Sequence, residues 1–299
     1  MTVLLFPGQG SQQAGTAAVF RESCSEAKFL FGIAEEVLPG DVFDIILNGA
    51  QESLNDTRYA QPALLCTETA AAALLNFLGV SPALCAGHSL GEITALVACG
   101  ALSFKDALVL VQERARLMST DVPEGGMAAV LGLSADRVEE VLPEEAQVAN
   151  YNGPAQTIIS GTRRGLETAE ACLKEAGAKR VIPLAVSGPF HSRYMETAGN
   201  ALARFLENIP VAAPTIPFLS SVSGTCEVDP CRIRALLAEQ LYRPVQWTRV
   251  MEYISGRKAV EAGPGAVLQG LAKRVPGGPM VHAGCTPELC RAFAALQES

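Results

Sequence analysis

Histidine and tryptophan are scarce in this chain, with three and one among 299 residues. That leaves little material for a histidine-rich metal site or for an aromatic surface on which bases could stack, and no metal is expected. Positive charge is also in deficit. The 23 lysines and arginines face 31 acidic residues, for a formal net charge of −8. Phosphate binding needs basic surface, so no nucleic-acid partner is expected, although a local basic patch remains possible. Long apolar runs are missing too. The stretch 65–78 comes closest to a membrane span, but Glu68 and Asn76 interrupt it, and a span needs about 18 or more apolar residues. The opening MTVLLFPGQG has no basic region and too short an apolar run for a signal peptide. These absences predict a cytoplasmic protein with no membrane contact.

Hydrophobic residues make up 49% of the chain and charged residues 18%, which excludes global disorder. The length suits one α/β domain with a small inserted lobe. Nine cysteines, an odd number, read as free thiols. Cys66, Cys85 and Cys99 lie in apolar runs and read as core fillers. The pairs Cys226/Cys231 and Cys285/Cys290 each enclose four residues. They lack the firm turn chemistry of a zinc site and also read as unpaired.

Along the chain, residues 2–6 read as a strand that ends in the glycine-rich loop Pro7-Gly8-Gln9-Gly10. A helix is expected over 15–34, a turn at Gln61-Pro62, and a buried helix over 63–78. Residues 83–86 read as a strand, 87–91 as a sharp turn and 92–99 as a buried helix. Ser103, with Asp106 three residues on, predicts the capped start of a helix that runs to Met118. After a break at 123–126 the pattern becomes β-α-β-β-α-β through Leu184, the order of a ferredoxin-like unit. Residues 1–123 and 192–299 are therefore expected to form a large α/β core, and 124–191 a ferredoxin-like small subdomain. Strands at 215–220 and 259–261 and helices at 229–240, 249–255 and 266–273 complete the reading.

Gly87-His88-Ser89-Leu90-Gly91 matches G-x-S-x-G. The chemistry needs a serine on a strained strand-to-helix turn, and glycines beside it because a Cβ there would strike the neighbouring elements. A strand before it and a buried helix after it supply that context; the competing reading is a packing turn with an idle serine. The helix start after Ser89 offers free backbone N–H groups, so the Leu90 amide can face a developing oxyanion. A second donor must come from another loop, and the Gly8-Gln9-Gly10 loop is supple enough to approach. Of the three histidines, His191 is the favoured base. It follows Ser187-Gly188-Pro189-Phe190 at the junction of lobe and core, where a cleft forms. His88 adjoins Ser89 and should leave the turn in another direction. No Asp or Glu stands out to orient His191.

In the helix 104–118, Ala107, Leu110, Val111 and Met118 share one stripe, and Arg114 falls on it. Arg116 and Glu113 fall on the solvated face. An inward arginine must be paired or must hold an anion. Two readings stay open: a structural arginine, bonded to a distant acid or snorkelling at the core edge, or a two-pronged clamp for a substrate carboxylate.

Ordered motifs along the chain resemble the malonyl-CoA:acyl carrier protein transacylase family of fatty-acid synthesis. They are Phe6-Pro7-Gly8-Gln9-Gly10-Ser11-Gln12, Gln61-Pro62, Gly87-His88-Ser89-Leu90-Gly91-Glu92, Arg114 with Met118, the Asn150–Gln156 stretch, Gly188-Pro189-Phe190-His191-Ser192, and the C-terminal blocks Pro244-Val245-Gln246-Trp247 and Gly263-Pro264-Gly265. The resemblance spans nearly the whole chain. It implies an α/β-hydrolase-like core with an inserted ferredoxin-like subdomain. It implies that Ser89 takes malonyl from malonyl-CoA and passes it to the phosphopantetheine thiol of an acidic acyl carrier protein, with His191 as base and no cofactor. The amides of Gln9 and Leu90 would form the oxyanion hole. The backbone carbonyl of Gln246 would orient His191, so no acidic third member is needed. Arg114, Gln61 and Phe190 would contact the substrate, with Phe190 marking a malonyl-selective site. A monomer is expected. Two positions depart from the family pattern: Ala115 stands where glycine is frequent, and Ile93 where tyrosine is frequent. The alternatives are an acyltransferase that loads polyketide synthase carrier proteins, a serine thioesterase, and a carrier-binding scaffold without turnover. Lys179, Arg180, Lys273 and Arg274 are the candidate docking cations.

Overall fold

The computed structural model describes residues 2–120 and 122–298. Its strands are β1 (Thr2–Phe6), β2 (Pro82–Gly87), β3 (Gly126–Leu131), β4 (Ala146–Gly153), β5 (Gln156–Gly161), β6 (Arg180–Pro183), β7 (Phe218–Leu219), β8 (Cys226–Glu227), β9 (Lys258–Ala262) and β10 (Met280–Gly284). They form a six-stranded sheet, order β10-β9-β1-β2-β7-β8, and a four-stranded sheet, order β4-β5-β3-β6. The result is a mixed α/β fold with two sheets.

In the large sheet β10, β9, β1, β2 and β7 run parallel and β8 antiparallel. Parallel sheets must be covered on both faces. Strand β1 shows the consequence, because all five of its residues are buried. Its side chains alternate across the pleat. Leu4 and Phe6 join one core with Phe31, Leu64 and Leu108, while Val3 and Leu5 join the other with Trp247, Met251 and Leu271. Adjacent strands β1 and β2 bring their C-terminal loops together, and His88 N donates to Phe6 O at 2.9 Å.

The small sheet is antiparallel throughout. With the helices Ala135–Val141 and Arg163–Glu175 it has the β-α-β-β-α-β order and strand arrangement of a ferredoxin-like unit. It has its own core of Val130, Val138, Val148, Ile159, Ala169 and Leu173. Strand β4 slips register at Val148/Asn150 and again at Tyr151/Gly153. Such bulges re-aim side chains. Here Tyr151 N donates to Val245 O, Val245 N donates to Ala149 O, and Asn152 reaches His88.

Several elements differ from expectation. The helix foreseen over 15–34 is two helices, Thr16–Arg21 and Ser25–Val37, and the Cys24 thiol accepts from Ala27 N to cap the second. Cysteine is an unusual cap, so the break carries no strong sequence signal. The Gln61-Pro62 turn is instead inside the helix Thr57–Phe77. Proline there removes one early helical hydrogen bond, and burial of nearly the whole helix outweighs that cost. The helices Gly40–Asn48 and Pro287–Glu298 and strands β8 and β10 were not foreseen. Among the described residues no helix is long and apolar enough to cross a membrane.

Candidate active site

Ser89 sits between β2 and the helix Gly91–Ala98 with φ = 52°, a left-handed conformation that costs a non-glycine residue energy. The turn is held shut by its neighbours. A Cβ on Gly91 would stand 2.2 Å from Phe6 O, and one on Gly87 would stand 2.0 Å from Gly91. Only glycine fits at either place, as the pentapeptide predicts.

His191 also has a positive φ, 57°. Its Nε2 lies 2.9 Å from Ser89 Oγ and its Nδ1 lies 2.7 Å from the backbone oxygen of Gln240. A carbonyl can only accept, so Nδ1 carries the hydrogen and Nε2 presents its lone pair to the serine. Burial lowers the His191 pKa to about 3, and the nearby Arg114 guanidinium adds to the fall. The ring is therefore a neutral base at neutral pH.

The carbonyl partner corrects one expectation, which was Gln246. The Gln246 carbonyl already accepts from Val250 N at the start of the helix Trp247–Tyr253. Gln240 lies at the C-terminal end of the helix Pro230–Glu239, where carbonyls lack intrahelical donors. Its oxygen is free for His191.

Arg114 is 2% exposed, so it does not snorkel. Its Nη1 donates to Gln61 Oε1 at 2.7 Å, and its Nη2 donates to Gln240 Oε1 at 2.9 Å and to Ser89 Oγ at 3.2 Å. Its Nε has no partner among the described residues. Burial lowers its pKa to about 10, which still leaves it cationic at neutral pH. Gln61 holds the arginine from the opposite side to Gln240, and its Nε2 donates to Met118 Sδ at 3.4 Å. Phe190 is buried in the main core directly before the base. Among the described residues neither the Leu90 nor the Gln9 backbone N–H has an acceptor, so both remain available. The Gln9 side chain is tethered to Thr57 Oγ1 at 3.0 Å.

His88 does turn away from the serine. Its Nε2 meets Asn152 Oδ1 at 2.9 Å, its ring stands edge-on to Trp247 at 5.2 Å, and burial lowers its pKa. Three contributors were not singled out from sequence. Gln240 touches Arg114, Glu92, the Ser89 carbonyl and His191, and Ser221 Oγ donates to Glu92 Oε2 at 2.7 Å. Gln240 lies 49 residues from His191 and 126 from Arg114 in sequence, so no local pattern marks it. Glu92 stood only as the last letter of the serine motif.

The Ser89 hydroxyl, the neutral His191 imidazole and the buried Arg114 guanidinium thus meet within hydrogen-bonding distance. The acyl transferase domain family matches residues 3–272. The chain is 43% identical over 282 residues to the malonyl CoA-acyl carrier protein transacylase of Bacillus subtilis, covering 91% of this chain and 89% of that one. It is 42% identical over 285 residues to the protein of the same name from Escherichia coli K12, covering 91% of each. The chain belongs to the malonyl-CoA:acyl carrier protein transacylase family. Among solved structures of such transacylases, the acyl-carrier-protein S-malonyltransferase of Burkholderia pseudomallei superposes with a TM-score of 0.93 at 37% identity, covering 99% of this chain and all of that one. A malonyl-transacylase in complex with its type II polyketide synthase acyl-carrier protein superposes with a TM-score of 0.93 at 36% identity, over 100% of this chain and 99% of that one.

Proposed function

We propose that the protein transfers a malonyl group from malonyl-CoA to the phosphopantetheine thiol of acyl carrier protein, by way of an ester on Ser89. The observation that carries this reading is that Ser89 Oγ lies 2.9 Å from His191 Nε2 and 3.2 Å from Arg114 Nη2. The nucleophile has its base and a carboxylate-binding cation within reach of one small acyl group.

In the first half-reaction His191 Nε2 takes the Ser89 proton as Oγ attacks the thioester carbonyl. The Leu90 and Gln9 amides receive the oxyanion. Collapse breaks the C–S bond, and the departing CoA sulfur takes the proton from His191. In the second half-reaction the carrier thiol gives its proton to His191 and attacks the ester, and Ser89 recovers its proton. Arg114 grips the free carboxylate of malonyl through parallel N–H bonds and so aims the carbonyl at Ser89. Gln61 fixes the arginine, and Phe190 closes the acyl pocket. The missing acidic orienter and the buried cation disfavour a thioesterase, and the complete constellation disfavours an idle scaffold.

Residues 124–191 act as a small subdomain that ends in the histidine loop and brings His191 to the serine, and the protein works as a cytoplasmic monomer. The carrier docks on basic residues at one end of the small sheet. Gln156, Leu131 and Arg180 lie in register across β5, β3 and β6, and Arg274 donates to Gln156. With strands about 4.8 Å apart, Arg180 and Arg274 share one end of the sheet with exposed Lys179 and Lys273. That end also holds Asn152, which contacts the serine turn through His88. The carrier of fatty-acid synthesis is the preferred partner.

The test is to mix the protein with malonyl-CoA alone, digest it and locate the label by mass. A malonyl group on the Ser89 peptide is expected. A label elsewhere, or none within the first turnover, refutes the reading.

A further inference from the structure

Arg114 is buried and cationic, yet none of the ion pairs among the described residues includes it. A buried charge without a counter-charge is costly, so some anion must answer it. The acid whose charge reaches it is Glu92, one turn beyond the nucleophile. Glu92 is 1% exposed. Its Oε2 accepts from Gln240 Nε2 and from Ser221 Oγ, and the Ser221 backbone amide also faces the carboxyl. Burial raises the pKa of this carboxyl, and the donors around it, whose amide nitrogens cannot accept, pull it back toward the ionised form.

One side chain joins the two charges. Gln240 Oε1 accepts from Arg114 Nη2, and Gln240 Nε2 donates to Glu92 and to Ser89 O. Turning the amide over would set its nitrogen against the guanidinium and its oxygen against the carboxylate. Only one orientation satisfies every partner. The amide dipole therefore lies head to tail between cation and anion.

We infer that Glu92 is a positioning residue that acts through the Gln240 amide as the internal counter-charge of Arg114, and so sets how tightly the substrate carboxylate is held. The inference rests on reading Arg114 as the carboxylate clamp. In the empty cleft Glu92 stabilises the cation. When a malonyl carboxylate meets Arg114, Glu92 becomes a like charge on the far side of it and tempers the grip. A transferase needs that moderation, because the acyl group must leave the arginine with the second thiol. Acetyl, which has no carboxylate, does not feel the term.

The experiment measures kcat/KM for acylation of Ser89 by malonyl-CoA and by acetyl-CoA in the native protein, E92Q, R114A and E92Q/R114A. The amide in E92Q can still accept from Gln240, so geometry is kept while charge is lost. The malonyl-to-acetyl ratio should rise roughly tenfold in E92Q, the scale of one charge–charge coupling across a bridging side chain at an effective dielectric of about 20. KM for malonyl-CoA should fall, and kcat for transfer to the carrier should fall with it. Adding E92Q to R114A should leave the ratio unchanged. A merely structural Glu92 would depress both acyl groups alike. If E92Q leaves the ratio flat or lowers it while R114A abolishes malonyl preference, the inference is overturned and the clamp stands. If R114A slows both acyl groups equally, the clamp reading fails and this inference falls with it. Should E92Q not fold, S221A removes one donor from the carboxylate and should raise the ratio by a smaller factor; an unchanged ratio there overturns the inference as well.

Discussion

Replacing Arg114 by alanine tests substrate choice most directly. The guanidinium is 2% exposed and bonds to Gln61 Oε1, Gln240 Oε1 and Ser89 Oγ. Alanine removes the cation and leaves two amide oxygens facing the space where a malonyl carboxylate would lie. Attraction is lost, and acceptors are set against an anion. Truncating one partner of a buried, hydrogen-bonded charge pair costs about 2–5 kcal/mol, so kcat/KM for malonyl transfer should fall roughly 10²-fold or more. Acetyl carries no carboxylate. Its transfer should fall little, or rise as the serine oxygen is released from Arg114. Lysine at 114 keeps the charge but has no planar fork to reach Gln61 and Gln240 together, so it should be intermediate for malonyl. Arg116→Ala is the control, since that side chain is 57% exposed and pairs with Glu113; it should be near neutral for both. Melting curves separate loss of fold from loss of function. Equal slowing of malonyl and acetyl transfer in R114A would refute the reasoning and make the arginine structural.

Four further outcomes are expected. The His191 pKa is depressed to about 3, so the acid limb of kcat/KM for acylation should lie well below pH 6.5; a limb at 6.5 assigned to His191 would contradict the buried, neutral base. The same depression means that between pH 6.5 and 3 the unfolded chain takes up a proton at this position that the folded chain refuses. Stability should therefore drop as pH falls through that window, by up to about 1.4 kcal/mol per pH unit from this group, and His191→Asn should flatten the drop in denaturant titrations at pH 7 and 5. Gly91→Ala places a Cβ 2.2 Å from Phe6 O and should cost about 4 kcal/mol or more in chemical denaturation; a loss below about 1 kcal/mol would show that the turn yields. For the carrier protein, kcat/KM should decline as ionic strength rises, and Arg274→Glu should weaken the salt dependence; a flat profile would remove the basic docking surface.

Much of this protein was legible in its residues because the informative signals were local. The serine turn, its two obligatory glycines, the Ser103 cap and the inward stripe that carries Arg114 each lie within a few positions of one another. The β-α-β-β-α-β order of the small lobe followed from short apolar runs and helical stretches read in sequence. Local chemistry sets backbone conformation and which face of an element is apolar, so such features survive without knowledge of the fold. What failed were features set by distant partners. Pro62 signals a turn locally, but a helix buried on nearly all sides absorbed it. The strand β8 is only two residues long and owes its conformation to β7, with which it pairs. The carbonyl that orients His191 was placed on the wrong glutamine, because the choice depends on which carbonyl is left over at a helix end. Sequence alone also left Arg114 undecided between structural and functional roles. Only tertiary structure could bring it to Ser89, 25 residues away, and to Gln240, 126 residues away. A buried charge is answered by whatever the fold carries to it, and here the fold carries the amide of Gln240 with the carboxylate of Glu92 behind it.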